Sequence, residues 1–563
     1  MAEMTDSQVL IVGAGPVGLT LAIDLAWRGI NVTVVEMRAR AAPPDPKCNH
    51  VAARTMEIFR RLGLAEKVRN AGLPADYPHD ISYRTSFTGQ ELARIQIPCR
   101  RDRFTSKDGP DGNWPTPEPP HRINQIFLEP ILFDHAAADP RIHIINRTSV
   151  EDVVVEEGSA SVGLRDLETG EVRRCSRRYL IGCDGARSIV RKAIGAELTG
   201  DAIVQRVQST FIRAPGLIDL QRHERAWGTG AINPRRAGMV YAIDGSERWL
   251  VHNYLKPDEM DFDSVDRDAC IRTILGVGPD FQYDIISRED WYGRRLIADR
   301  FRDRCAFIAG DAAHIWVPYA GYGMNAGIAD AMNLSWLMAA HLNGWAPASI
   351  LDAYEAERWP ITSQVSRFAM SHAEAEIRRR GAIPAEIEEP GSRGELARRE
   401  IGRLTYDINV QQYACAGLNF GSFYDRSPII VYDGAKHPGY TMDSYIPSTV
   451  PGCRTPHVWL EDGTSLYDAM GPEFTLLRFD PELDIAPLQS AARSRRLPLK
   501  VLDLRRPTAA GFYESGLVLS RPDQHVAWRG DRLPSDALAL IDRVRGAASE
   551  SPARFESAKL SIG

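Results

Sequence analysis

No stretch limits the possible folds of this chain more than residues 9–36. The apolar run VLIV, ending at Gly13, lacks the alternation of a half-exposed strand and reads as a strand covered on both faces in a parallel sheet. Gly13, Gly15 and Gly18 follow in G-x-G-x-x-G spacing. A helix over Pro16–Arg28 stops at Gly29, and a second strand over Val32–Glu36 ends on an acid. Gly13 permits the tight turn, Gly15 lets a pyrophosphate approach the backbone, and Gly18 lets helix and strand pack closely. Glu36 stands where a carboxylate would bond an adenosine ribose. Pro16 and Val17 between the glycines, with Met37 and Arg38 after the acid, belong to the same expected site. The pattern implies a bound dinucleotide; which one stays open at this point.

A nicotinamide dehydrogenase would continue in alternating βαβ units, and this chain does not. After a helix at 51–63, residues 76–121 break into short polar strands and a Pro/Gly-rich loop, GPDGNWPTPEPP, read as a β-rich excursion with a flexible, lid-like tip. A helix over 124–138 precedes an antiparallel meander over Ile142–Asn146, Val150–Glu156 and Val162–Leu167. RYLIGCDGARSIVRKAIG at 178–195 is a strand, a turn at Asp184-Gly185 and a helix. Residues 197–290 are strand-rich again. DRCAFIAGDAAHIWVPYAGYGMNAGIADAMNLS at 303–335 then places a strand over Ala306–Ala309, a turn at Gly310-Asp311, a loop with Pro318, Gly321 and Gly323, and a helix starting near Met324. A helix N-terminus there stabilises negative charge. Asp311, beside it, suits a sugar-like hydroxyl better than a phosphate.

At 563 residues the chain exceeds one ordinary core. The expected fold class is α/β: a Rossmann-type domain from residues 1–75, 122–196 and 291–385, interleaved with a β-rich domain from 76–121 and 197–290. A helical linker region, 386–445, and a small α/β domain, 446–563, complete the chain. A net charge of −6 argues against nucleic acid or an anionic membrane as partner. The Arg378–Arg380 run reads as a solvated helix face. Eight scattered cysteines without a C-x-x-C pair argue against metal and dithiol chemistry and suit a reducing, cytoplasmic setting. The N-terminus has no basic n-region of a secretory signal, and no apolar run is long enough to span a bilayer.

Three signatures stand together: GAGPVG with Glu36, YLIGCDGARSIVR at 179–191, and GDAAHIWVPYAGYGMNAGIADAMNLSW at 310–336. With RTMEIFRRLGL at 54–64, they resemble the FAD-dependent aromatic hydroxylases, flavoprotein monooxygenases of the phenol hydroxylase type. PGCRTPHVWLEDG at 451–463 and LVLSRPDQHVAWRG at 517–530 are similar to the thioredoxin-like tail of the longer members.

The resemblance implies FAD on Gly13, Gly15, Gly18 and Glu36, with Asp311 on the ribityl chain. It places the loop Pro318–Asn325 along the isoalloxazine ring, with the Met324 and Asn325 backbone near its N1–C2 edge. Gln125, Val150, Gly310, Gly321 and Gly323 join that set, and Asp184 with Arg187 serves both flavin and reduced nicotinamide. Lys47, in Pro46-Lys47-Cys48, replaces the family's arginine and keeps the charge without the bidentate fork.

The implied activity uses NAD(P)H and dioxygen to hydroxylate a small phenolic substrate through a flavin C4a-hydroperoxide. Baeyer–Villiger or polyketide-tailoring oxygenation is the alternative, because pocket shape rather than motif separates these outcomes. The intact flavin loop argues against a binding protein without turnover. Pro318, His50, Tyr241 and His252 are the catalytic candidates, with Tyr254 beside them. Cys453 is the tail's only cysteine, so the tail is expected to serve packing or subunit contact, as in a homodimer.

Overall fold

Val9–Val12 is buried at every position and pairs in parallel with Val32–Val35 on one side and Tyr179–Gly182 on the other. These strands centre a six-stranded sheet whose order runs Arg302–Asp303, Ala306–Ile308, Tyr179–Gly182, Val9–Val12, Val32–Val35, Ile142–Ile145. All of its pairings are parallel except the edge pair Arg302–Asp303 with Ala306–Ile308. The sequence expectation for Ile142–Asn146 is corrected here. The strand closes the parallel sheet beside Val32–Val35, because its short apolar run caps a buried edge. The meander consists instead of Thr148–Val155, Ala160–Asp166 and Val172–Arg177. The computed structural model describes residues 7–40, 42–47, 49–221, 223–505 and 511–548.

Gly13 explains the turn after the first strand. Its φ of +101° is a left-handed value, and a Cβ there would lie 2.4 Å from the Cys183 carbonyl oxygen. The helix Pro16–Trp27 then packs close to the strand, since a Cβ on Gly18 would meet the Gly13 carbonyl oxygen at 2.0 Å.

A seven-stranded sheet takes its strands from both expected β-rich segments. Its order is Asp284–Gly293, Gln205–Arg213, Arg248–Tyr254, Gly238–Ala242, Gly228–Ala231, Ile81–Arg84, Glu91–Ile95. Ile81, Phe87, Ile95, Trp249 and Ile274 build its core, joined by Ile387, Ile401 and Tyr413. Those last three lie in the region expected to be a linker. The helix Gly391–Tyr413 is therefore a packed part of this body, its apolar positions recurring on one face. The second half of the Pro/Gly-rich loop is also packed, with residues 116–120 all buried, while Gly109, Asn113 and Pro115 in its first half are exposed.

The chain divides into two compact units. The first holds residues up to 335, 359–422 and 439–446; the second holds 336–358, 423–438 and 447 onward. The second unit's four-stranded sheet is ordered Leu499–Asp503, Phe474–Arg478, Leu517–Ser520, Val526–Gly530, flanked by the helices Ala486–Ser494 and Ala537–Val544. This βαβ–ββα arrangement is thioredoxin-like. It also takes in chain before residue 446. Glu357 accepts from Arg521 Nη1 and Nη2 at 2.6 and 2.8 Å, and Asp523 Oδ2 accepts from the same Nη2 at 2.7 Å. Cys453 is buried, and burial pushes its thiol up to about 12. Among the described residues no helix is long and apolar enough to cross a membrane.

Candidate active site

The first unit contains a cavity of about 960 Å³ lined from its six-stranded and seven-stranded sheets. Its entrance end is built from the first strand and helix. Gly13, Gly15, Pro16 and Val17 line it, and Gly15, at the helix N-cap, offers no side chain to the free N–H groups. A Cβ on Gly15 would touch nothing within 4 Å, so a ligand can come up against the backbone. Glu36 sits below, its Oε2 accepting from Ala14 N at 2.7 Å and its Oε1 from Arg38 N at 2.9 Å. Arg38 bridges on to Glu129 at 2.5 Å. Met37, Gln125 and Val150 complete this wall.

The middle of the cavity is acidic. Asp311 opens onto it, and burial raises its carboxyl above the usual carboxylate range. Asp184 Oδ2 accepts from Ile189 N at 2.7 Å, while its buried Oδ1 has no partner. Burial raises this carboxyl as well. Arg187 lines the cavity nearby. Lys47 Nζ pairs with Glu289 at 2.9 Å across the rim; Cys48, its neighbour in the motif, lies outside the described residues.

Pro318, Gly321, Gly323 and Met324 line the cavity at the start of the helix Tyr322–Leu342. Asn325 does not line it; its side chain fixes the loop from behind. Asn325 Oδ1 accepts from Ala52 N at 2.9 Å and Thr55 Oγ1 at 2.8 Å, and Nδ2 donates to the His50 and Gly321 carbonyls at 3.1 and 2.7 Å. Gly18 and Gly310 are likewise packing positions behind the wall, Gly310 lying against Val17. His314 donates or accepts at Asp330 Oδ2 across 2.6 Å and stacks on Trp316 at 4.7 Å.

Beyond this loop the seven-stranded sheet walls an aromatic chamber. Trp227 and Tyr241 lie 5.1 Å apart, Tyr241 and His252 5.6 Å, and His252 and Trp291 6.0 Å, mostly edge to face. Burial lowers the His252 pKa to about 4 and raises that of Tyr241 well above a free phenol. Both are therefore neutral near pH 7. His50 is also neutral, its pKa held well below the usual range by burial and by Arg122. Tyr254 lines the same chamber under the guanidinium of Arg380, 4.2 Å from its ring centroid.

Several lining residues escape sequence reading: Arg122, Glu376, Arg379, Arg380 and Tyr413. Helical spacing could have found two of them, Glu376 and Arg379. His372, Glu376 and Arg379 recur at i, i+4 and i+7, and all are buried, whereas Arg378 is exposed. The Arg378–Arg380 run is thus only partly a solvated face. Arg379 pairs with Glu376 at 2.8 Å inside the protein, and Arg380 Nη2 donates to Gln205 at 2.5 Å.

Uncapped N–H groups, an orphaned buried carboxylate oxygen and glycines that leave the wall open together fit an elongated, hydroxyl-bearing diphosphate with an aromatic end. The family described as FAD binding domain matches residues 6–369, and that described as aromatic-ring hydroxylase, C-terminal, matches residues 448–548. The chain is 30% identical over 510 residues to the FAD-dependent monooxygenase opdD of Penicillium oxalicum, covering 86% of this chain and 96% of that one. It is 28% identical to phenol 2-monooxygenase of Pseudomonas sp. (strain EST1001), across 97% of this chain and 93% of the relative. The solved structure of the rebeccamycin biosynthetic enzyme RebC with reduced flavin superposes with a TM-score of 0.86 at 32% identity, covering 96% of this chain and 99% of RebC.

Proposed function

Because the chain belongs to the FAD-dependent aromatic-ring hydroxylases, and is thus a flavoprotein monooxygenase, we propose that it takes electrons from NAD(P)H and inserts one atom of dioxygen into a phenolic ring held in the aromatic chamber. The observation that carries this reading is continuity: one cavity joins the uncapped helix end, Asp311 and the Pro318 loop to the wall of Trp227, Tyr241 and His252. Bound FAD supplies electron transfer and oxygen activation.

The side chains bind, orient and exclude water. The free N–H groups of the first turn of the helix Pro16–Trp27 would hold the pyrophosphate. Glu36 clamps the turn and would meet the ribose, and Lys47, paired with Glu289, would add charge at the rim. Asp311 and Asp184 present carboxylates to hydroxyl groups. The positive end of the helix Tyr322–Leu342, at Gly323 and Met324, would stabilise negative charge on a flavin bound in the cavity. Tyr241 keeps its phenolic proton and donates from Oη, while neutral His252 offers an acceptor.

The test is FAD-loaded protein assayed with NADH and NADPH against a panel of substituted phenols under ¹⁸O₂. The expected result is stimulated NAD(P)H oxidation with one labelled oxygen in a hydroxylated product. A ring-expanded ester would select the Baeyer–Villiger reading, and no stimulated oxidation with any phenol would sink both. The unpaired thiols of the described chain suit a reducing compartment, and we read the enzyme as cytoplasmic. The second unit, with its unreactive Cys453, is read as a packing or subunit-contact body, which light scattering on the intact protein would test as a homodimer.

A further inference from the structure

The loop that carries Pro318 is tied down at both ends. The Asn325 amide holds its helix end to the segment 50–55. Its Pro318 end is held through Tyr319, whose Oη accepts from Arg380 Nη1 at 3.3 Å. Arg380 is the last residue of the helix Ala353–Arg380 and lines the cavity beside Tyr319, Tyr254 and Gln205. Its guanidinium meets all three. Nη2 donates to Gln205 Oε1 at 2.5 Å, and the ring centroid of Tyr254 lies 4.2 Å away.

The contacts on the sheet side are fixed ones. Gln205 begins and Tyr254 ends neighbouring strands of the seven-stranded sheet, and Gln205 Nε2 donates to the Arg206 and Leu255 carbonyls at 2.9 and 3.2 Å. The helix end that carries Arg380 is fixed as well. Glu376 accepts from Arg379 at 2.8 and 2.9 Å and from Asn409 Nδ2 at 2.7 Å, and Asn409 belongs to the packed helix Gly391–Tyr413. With Glu376 engaged by Arg379, the Arg380 guanidinium is oriented by an amide oxygen, a phenol and a ring face. Its rigid planar fork can hold a strand and a loop at once.

We infer that Arg380 is a positioning residue: it pins Tyr319 to the seven-stranded sheet and so fixes the gap between the Pro318 loop and the wall of the aromatic chamber. That gap matters when an oxygen atom passes from a cofactor on one side to a ring on the other, because reacting atoms must stand about 3–3.5 Å apart. This consequence rests on the hydroxylase reading above, but the pin is tested without turnover.

Amide hydrogen exchange over residues 317–323 is followed by mass spectrometry in intact, FAD-loaded protein, with the visible circular dichroism of the bound flavin as a second readout. Arg380→Gln is expected to speed exchange in that segment roughly tenfold, the scale of a lost hydrogen bond to a charged group, and to change the flavin dichroism. Exchange in the strand Val9–Val12 should stay as it was. Tyr319→Phe, which removes one oxygen, is expected to act likewise. The double variant should exchange within about twofold of either single one, because both break the same contact. Unchanged loop exchange in Tyr319→Phe overturns the proposal even where Arg380→Gln fails to fold, and so does a double variant whose effect is the product of the single ones. Loop exchange as expected in an enzyme that hydroxylates no phenol would leave the pin standing and remove the hydroxylase reading. Hydroxylation with an unmoved loop in both single variants would remove the pin alone.

Discussion

A carboxylate that opens onto a cavity without accepting a protein hydrogen bond is available to a ligand, and Asp311 is in that position. Asp311→Ala should lower the flavin-to-protein absorbance ratio of purified enzyme and raise the Kd for FAD by roughly tenfold or more, the scale of a lost charge-assisted hydrogen bond. An unchanged ratio would remove the assigned role. At this scale the sequence was most informative where chemistry is local. The glycines of GAGPVG, Glu36 and Asp311 are legible because a tight turn and a helix end demand particular residues within a few positions. The Asn325 side chain gave no local sign of its role, since its amide binds the segment around His50 and Thr55, far off in sequence. Arg380 gave none either, because only tertiary packing brings it to Gln205 and Tyr319.

Among the elements, the start of the helix Tyr322–Leu342 is tied to the segment 50–55, which leads into the helix Ala53–Arg61, by three hydrogen bonds of the Asn325 amide, and a fourth closes on Gly321 of its own loop. Asn325→Ala leaves two carbonyls, one N–H and one hydroxyl to find new partners. It should cost about 3 kcal/mol, seen as a lower urea midpoint together with a lower FAD content. A loss of stability with full FAD retention would mean that the loop keeps its shape without this tie. In the second unit, Glu357→Gln preserves volume but strips the charge that faces fully buried Arg521. A cost of about 3 kcal/mol is expected, because Asp523 remains as partner, and limited proteolysis should report it as faster cleavage in 447–548. Element type was largely readable from apolar periodicity. Partnering was not: Ile142–Ile145 looks alike as a meander strand or a parallel edge, and only its neighbour decides.

The whole molecule carries several histidines whose charge burial suppresses. His50, His79 and His121 sit well below the ordinary range and His252 near 4, with burial the first cause in each. The unfolded chain takes up protons below about pH 6.5 that these folded imidazoles refuse. Their stabilisation is therefore present above that pH and is lost as pH falls toward 4. Each group sets an upper limit of about 1.4 kcal/mol per pH unit, reduced for His252 by its access to the cavity. Urea midpoints should drop steeply between pH 7 and 5, and His79→Gln should flatten that slope; a flat profile in unaltered enzyme would contradict the argument. The central sheet adds a constraint in time. Val9 is made early, yet it pairs with Tyr179, and that strand's other edge is covered only by Ala306–Ile308. During synthesis the first strand can pair early with Val32–Val35, but its other apolar edge stays open until Tyr179–Gly182 emerges, and that strand in turn waits for Ala306–Ile308. Yield in a heterologous host should therefore respond to slower translation and chaperone supply, and flavin can be captured only as a late step of folding.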